Sequence, residues 1–195
     1  MKYAIIGDGG HARSVAALLM SLSGTTSILI KSDSEFLEEY RGKEERPSMV
    51  LGLGRVDLIH KIPIIVQPYL KEEFDFPNLQ HSRAIVSAEL STGIGNQIHA
   101  GAFVNCGVHM IDFNVINSNS TIEHDVIMGS FNHLAPGSIV CGGAKLADQI
   151  FVGAGAIIRE GVRICSKVVI GAGSVVLKDI TTPGVYVGAP SRRVD

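Results

Sequence analysis

Tryptophan is absent from this chain, and aromatic residues make up only 6% of it. Surfaces that hold single-stranded nucleic acid need rings on which bases stack, so no such surface is expected. Nor does one sign of charge prevail. Seventeen Lys and Arg stand against 19 Asp and Glu, a formal net charge of −2, which leaves no basic stripe to hold a polyanion. Cysteine is scarce: Cys106, Cys141 and Cys165 are odd in number, well separated and never in CxxC spacing. A disulfide framework or a cysteine zinc site is therefore not expected, and a reducing compartment fits. No apolar run approaches the roughly 20 residues of a membrane span, and the start, MKYAIIGDGG, shows no cleavable leader pattern. These absences lead us to expect a soluble cytoplasmic protein with neither nucleic acid nor membrane as partner. Hydrophobic residues supply 46% of the 195, enough to bury a sizeable core in one domain or two small ones.

Two patterns divide the chain. Residues 1–78 alternate strand-like and helix-like segments. KYAIIG (2–7), SILI (27–30) and SMVLGLG (48–54) read as strands, and PIIVQPYL (63–70) as a fourth. Between them, residues 10–22 place Val15, Leu18, Leu19 and Leu22 on one helical face. Residues 34–47 read as a charged helix or loop, and residues 55–62 as a short helix. Strands alternating with helices imply a small parallel α/β sheet. In the turn GDGGHA (7–12), Gly7, Gly9 and Ala12 satisfy the G-x-G-x-x-G/A fingerprint, with Asp33 at about the expected distance. Backbone N–H groups at such a helix start can cradle a phosphate. A segment this short is only half of a doubly wound domain, so one nucleotide diphosphate fits better than a dinucleotide.

From about residue 79 to 180 the pattern becomes a repeat of six. Stepping from Val86 to Val176 by sixes meets 16 residues, of which 15 are large and apolar, Thr92 being the exception. At this composition chance would place about seven there. Four residues after each comes a smaller one in most units, as at Ala102, Ser120, Ser138, Ala156 and Ser174. A period this short is that of a parallel β-helix, in which three units close a triangular coil of 18 residues. Backbone groups then pair with the coils above and below, about 4.8 Å away. The register does not slip between residues 86 and 176, so no inserted loop is expected there. Residues 181–195 form a C-terminal tail.

The repeat also assigns directions. Ile122 and Val126 are core slots, so Glu123, His124 and Asp125 between them point outward or along a turn. In isolation EHD would read as a solvated turn. A neutral imidazole is nonetheless a suitable general base near pH 7, its unperturbed pKa being about 6.5, and either acid is close enough in sequence to orient it. Gly142 comes 18 residues after His124 and so stacks one coil along on the same edge. Its N–H can meet a developing oxyanion, and no side chain blocks the approach. A metal is not expected, because no two histidines crowd one coil; His81 and His99 alone are 18 apart.

Three stretches carry a wider resemblance: IIGDGGHARSV near the start, VINSNSTIEHDVIMGSFNHLAPGSIVCGG in the middle, and GAGSVVLKD with VYVGAP near the end. With the hexapeptide repeat they resemble the left-handed β-helix acyltransferases, and among them the sugar acetyltransferases of the sialic acid O-acetyltransferase and bacillosamine N-acetyltransferase type. The resemblance covers nearly the whole chain. It implies an N-terminal Rossmann-like α/β subdomain followed by a left-handed parallel β-helix. It implies acetyl-CoA as co-substrate, a homotrimer with sites between subunits, and His124 as the base that takes a proton from the acceptor, supported by Asp125. It places His133, Ala154 and Ala172 along acetyl-CoA, His133 near the thioester and the alanines beside the pantetheine. It places Gly9, Gly10 and His11 at a nucleotide-sugar, with Gly52 behind the same pocket and Asn117 on the substrate side. The chain departs from the pattern after the second strand, where relatives that bind UDP-sugars tend to carry paired acids. Lys31 and Ser32 stand there instead, and a lysine favours a phosphate or carboxylate.

The expected reaction is acetyl transfer from acetyl-CoA to the amine of a nucleotide-linked amino sugar. O-acetylation of a sialic acid or related sugar is an alternative. A non-catalytic trimeric scaffold is another, against which the EHD motif and Gly142 argue.

Overall fold

Side chains along the first strand alternate between two cores. The computed structural model describes residues 1–31, 35–40 and 42–194. In β1 (Lys2–Ile6), Tyr3 and Ile5 face one way and join Val15, Leu18 and Leu19 of α1 (Gly10–Met20). Ala4 and Ile6 face the other way, toward Phe36, Met49, Val66 and Tyr69. This is the period of two expected of a strand covered on both sides. β2 (Ser27–Lys31) and β3 (Ser48–Leu51) flank β1 in parallel, giving the order β2-β1-β3. α2 (Glu35–Tyr40) and α3 (Ile62–Lys71) complete the cover.

The expected fourth strand at residues 63–70 is instead α3. Ile62, Val66 and Tyr69 are its buried residues, a spacing of four and three that marks one helical face. Pro63 lies in the first turn, where its missing N–H costs nothing. The apolar run hid that period. Residues 55–62 contribute only a 3₁₀ turn, Val56–Leu58, before α3 begins.

Beyond Leu79 the chain is a parallel β-solenoid. Its three faces carry eight, six and five strands. On the first face Gln97, Val115, His133 and Phe151 stack in register. Ile85, Phe103, Thr121, Ile139, Ile157 and Val175 do so on the second. The third stacks Ser91, His109, Ile127, Lys145 and Arg163. Most of these strands are couplets, outer residue then inner residue. The inner ones, such as Met110, Ile122, Leu134 and Ile158, are fully buried. Thr92, the polar exception, is exposed in the strand that begins the third face, where no coil lies below it.

Polar ladders lock the corners. Asn96 Oδ1 accepts from Asn114 N, Asn114 Oδ1 from Asn132 N, and Asn132 Oδ1 from Ile150 N, at 2.9–3.0 Å. These buried amides satisfy backbone donors that the turn leaves unpaired. Phe113 and Phe131 stack at 5.1 Å on the corner before the first face, and Phe76 meets Phe113 edge-on. The α/β unit sits on that side: Gln97 Nε2 donates to Leu51 O at 2.7 Å, and Gln97, Val115 and His133 are buried.

Loss of an inner side chain should be costly wherever coils lie on both sides. Ile158→Ala should destabilise the protein by about 2–5 kcal/mol, whereas Thr92→Ala should change stability by less than about 0.5 kcal/mol. Urea denaturation followed by circular dichroism measures both.

Candidate active site

The corner between the second and third faces holds His124. It is a turn because Asp125 takes left-handed backbone, φ 58°, a conformation that Asp and Asn adopt more readily than other side-chain-bearing residues. From there the Asp125 carboxylate reaches His124, Oδ2 lying 2.9 Å from Nδ1. Glu123 turns elsewhere and accepts from Asn105 Nδ2 at 2.8 Å. Of the two acids beside the histidine, Asp125 is the one that faces the ring. A carboxylate at Nδ1 favours the tautomer with the proton there and leaves Nε2 free to accept another.

The imidazole lies against Gly142. A Cβ built there would stand 2.6 Å from His124 Nε2 and 2.7 Å from Cε1, closer than any real contact. Only the bare face of a glycine lets the ring lie where it does. Among the described residues the Gly142 N–H has no backbone acceptor, although Gly143 N donates to His124 O at 2.9 Å. The edge therefore offers a base nitrogen and an unpaired donor side by side. Cys141 adjoins them, but burial, then the charges of Glu160 and Glu123, push its thiol pKa up, so it stays protonated and a poor nucleophile.

A second group of expected residues lines a cavity of about 400 Å³ in the α/β unit: Gly9, Gly10, His11 and Gly52, with Leu53, Gly54 and Arg55. Gly9 caps α1 without a side-chain hydrogen bond, which leaves the first N–H groups facing outward. Gly52 has a packing reason as well, since a Cβ there would lie 2.5 Å from Ile5 and 2.8 Å from Ala12. Sequence reasoning missed Arg55, which sits on the rim and is held by Asp57 through two hydrogen bonds of 3.0 and 2.8 Å. The cue was a cation just after Gly52 and Gly54, at the end of β3. Lys31 closes β2, but its side chain, like Ser32 and Asp33, lies outside the described residues.

His11 leaves the cavity toward the solenoid. Its ring stands 5.7 Å from that of His99 and 5.4 Å from that of His133, which in turn stacks on Phe151. His133 is 4% exposed, so its ring belongs to the junction of the two units. Burial lowers the pKa of His11 and His99 to about 4 and that of His133 to about 3. Asn117, Ala154 and Ala172 lie on the edge between the first and second faces. Asn117 Oδ1 accepts from Ser118 N at 2.8 Å, and both alanines are exposed. The chain thus carries His124 on one edge and Asn117 with the alanines on another, the second face lying between them. No group of three or more potential metal ligands occurs among the described residues.

No family model matches the chain. Solved structures do. The acetyltransferase domain of PglB from Neisseria gonorrhoeae is 27% identical over 99% of both chains, with a TM-score of 0.90, and it has also been solved in complex with acetyl coenzyme A. PerB from Caulobacter crescentus, solved with CoA and GDP-perosamine, is 27% identical over 100% of this chain and 98% of its own, TM-score 0.88. The perosamine N-acetyltransferase of that organism has further been solved with one histidine replaced by Asn or by Ala. WeeI from Acinetobacter baumannii shares the fold at 18% identity, covering 100% of each chain with a TM-score of 0.83. With its solenoid and exposed His124–Asp125 pair, the chain resembles the acyltransferases of the left-handed β-helix, hexapeptide-repeat class. Within that class the chain is similar to sugar N-acetyltransferases.

Two outcomes follow from this geometry. Gly142→Ala should push the imidazole aside and lower kcat about 100-fold while the fold survives, read by CoA release and circular dichroism. Acid should loosen the junction. His11, His99 and His133 are held neutral when folded and titrate near 6.5 when unfolded, so their contribution is complete above about pH 6.5 and is lost as pH falls toward 4. Thermal melts from pH 7.5 to 4 should show that loss, and the double variant His99→Asn/His133→Phe should flatten it.

Proposed function

We propose that this chain is an acetyl-CoA-dependent N-acetyltransferase acting on the amine of a nucleotide-linked amino sugar. The observation that carries the proposal is the His124–Asp125 pair lying against Gly142 on an open edge. Acetyl-CoA supplies the activated acyl group. His124 Nε2 takes the proton as the amine attacks the thioester carbon, and Asp125 steadies the charge that the ring then carries. The Gly142 N–H stabilises the oxygen that becomes negative. As the carbon–sulfur bond breaks, the imidazolium gives its proton to the departing thiolate, which leaves as free CoA.

The nucleotide is assigned to the front cavity. The N–H groups of α1 face its diphosphate, with Arg55 as a cation on the rim, and Lys31 is assigned to the same substrate. That assignment, a Rossmann-like designation for residues 1–78, a β-helix domain over 79–180 and a tail over 181–195 are parts of the same reading. Residues Asn117, Ala154 and Ala172 are assigned to the substrate and pantetheine side, and a cytoplasmic setting suits both activated substrates.

The active unit is proposed to be a homotrimer. Ile85, Phe103, Ile139, Ile157 and Val175 form an apolar stripe along the second face, Ile85 being 66% and Ile157 36% exposed. Packing three such faces about one axis is a closed arrangement. It brings the His124 edge of one protomer to the Asn117 edge of the next, since these edges border the same face.

CoA release should be measured over a panel of UDP-, GDP- and dTDP-linked amino sugars. Turnover of one of them, lost by orders of magnitude in a folded His124→Ala variant, is the expected result. An unchanged rate in that variant removes His124 as the base; no turnover and no acetyl-CoA binding sink the enzyme reading. Ile157→Glu should yield an inactive monomer by analytical ultracentrifugation, and a trimer of full activity would refute the shared-face assembly.

A further inference from the structure

The edge that carries His124 places Gly107, Asp125, Gly143 and Gly161 at one position on four successive coils. All four have left-handed backbone, with φ of 67°, 58°, 66° and 67°. Glycine is the ordinary residue for that conformation, so the φ alone accounts for three glycines. Their surroundings differ, however. A Cβ on Gly143 or Gly161 would meet nothing within 4 Å, whereas one on Gly107 would lie 2.6 Å from Asp125 Oδ1. The Asp125 carboxylate therefore leans over the bare face of Gly107. One oxygen points to that glycine, and the other lies 2.9 Å from His124 Nδ1. Little else holds it: the Asp125 side chain is 74% exposed.

We infer that Gly107 is a positioning residue for the base, because its missing side chain leaves the space in which the Asp125 carboxylate turns toward His124 Nδ1. The inference rests on the reading of His124 as the base. A side chain at position 107 would occupy the place of one carboxylate oxygen. That oxygen ends a side chain with two rotatable bonds, so the fold yields easily and the carboxylate swings away. The ring then loses the acceptor that keeps its proton on Nδ1, and the tautomer with Nε2 free becomes less populated. Gly142 on the coil above confines the imidazole; Gly107 on the coil below confines the acid.

The test compares Gly107→Asn with Gly161→Asn. Asn tolerates left-handed φ, so backbone strain is matched and only the neighbour differs. Ring ¹⁵N shifts of neutral His124 report the tautomer without any substrate. Wild type and Gly161→Asn should hold the Nδ1–H form, and Gly107→Asn should shift toward Nε2–H as Asp125→Ala does. With an accepted amino sugar, Gly107→Asn should lower kcat about 10-fold with little change in KM for acetyl-CoA. In an Asp125→Ala background it should add no further loss, which a merely structural role would not produce. An unchanged tautomer in Gly107→Asn, or an undiminished loss in the double variant, overturns the inference. His124→Ala separates the two ideas: if it remains active the base reading fails, while the tautomer comparison still decides what Gly107 does to the carboxylate.

Discussion

Everything in this molecule depends on the register between successive coils. Each coil of 18 residues lies on the one below through parallel backbone hydrogen bonds, and one aliphatic side chain per unit closes the interior. Interior packing tolerates neither a missing nor an added methylene cheaply, and a one-residue slip would turn the couplets inside out. Because the register holds, residues 18 apart in sequence are neighbours in space. Asn105 meets Glu123, Gly107 meets Asp125, and Gly142 meets His124 in this way.

The chemistry uses the places that this constraint leaves free. Inner positions are filled and outer strand positions are committed to faces, so a reactive group can sit only in a turn. His124 and Asp125 do so, at a corner whose left-handed residue would ordinarily be glycine. Polar groups elsewhere in the turns serve structure: the asparagine ladder pairs backbone donors, and Glu123 bonds the coil below. The acid that remains for the imidazole is the one carried on the strained turn residue.

The α/β unit adds a second cavity and fixes it to the solenoid through the first face. Its contact there is made by rings: the partly buried His11 meets the buried His99 and His133. Burial without a charged partner keeps those rings neutral. The junction thus holds the front cavity against the solenoid through neutral rings at neutral pH.

The repeat, the first three strands and the outward direction of His124 were all legible in the chain, because a period of six or of two needs only neighbouring residues to be seen. α3 was not, since an apolar run shows no period when its exposed face is also apolar: Ile64 is 71% exposed. The stacking of Gly142 on His124 follows from counting 18. The sequence alone could not choose between Glu123 and Asp125, bring Arg55 to the front cavity, or turn His133 inward beside His11. Those outcomes depend on backbone angle, on which face the α/β unit covers, and on contacts between segments more than a hundred residues apart. Local periodicity carries no information about them; only the folded chain brings those groups within reach of one another.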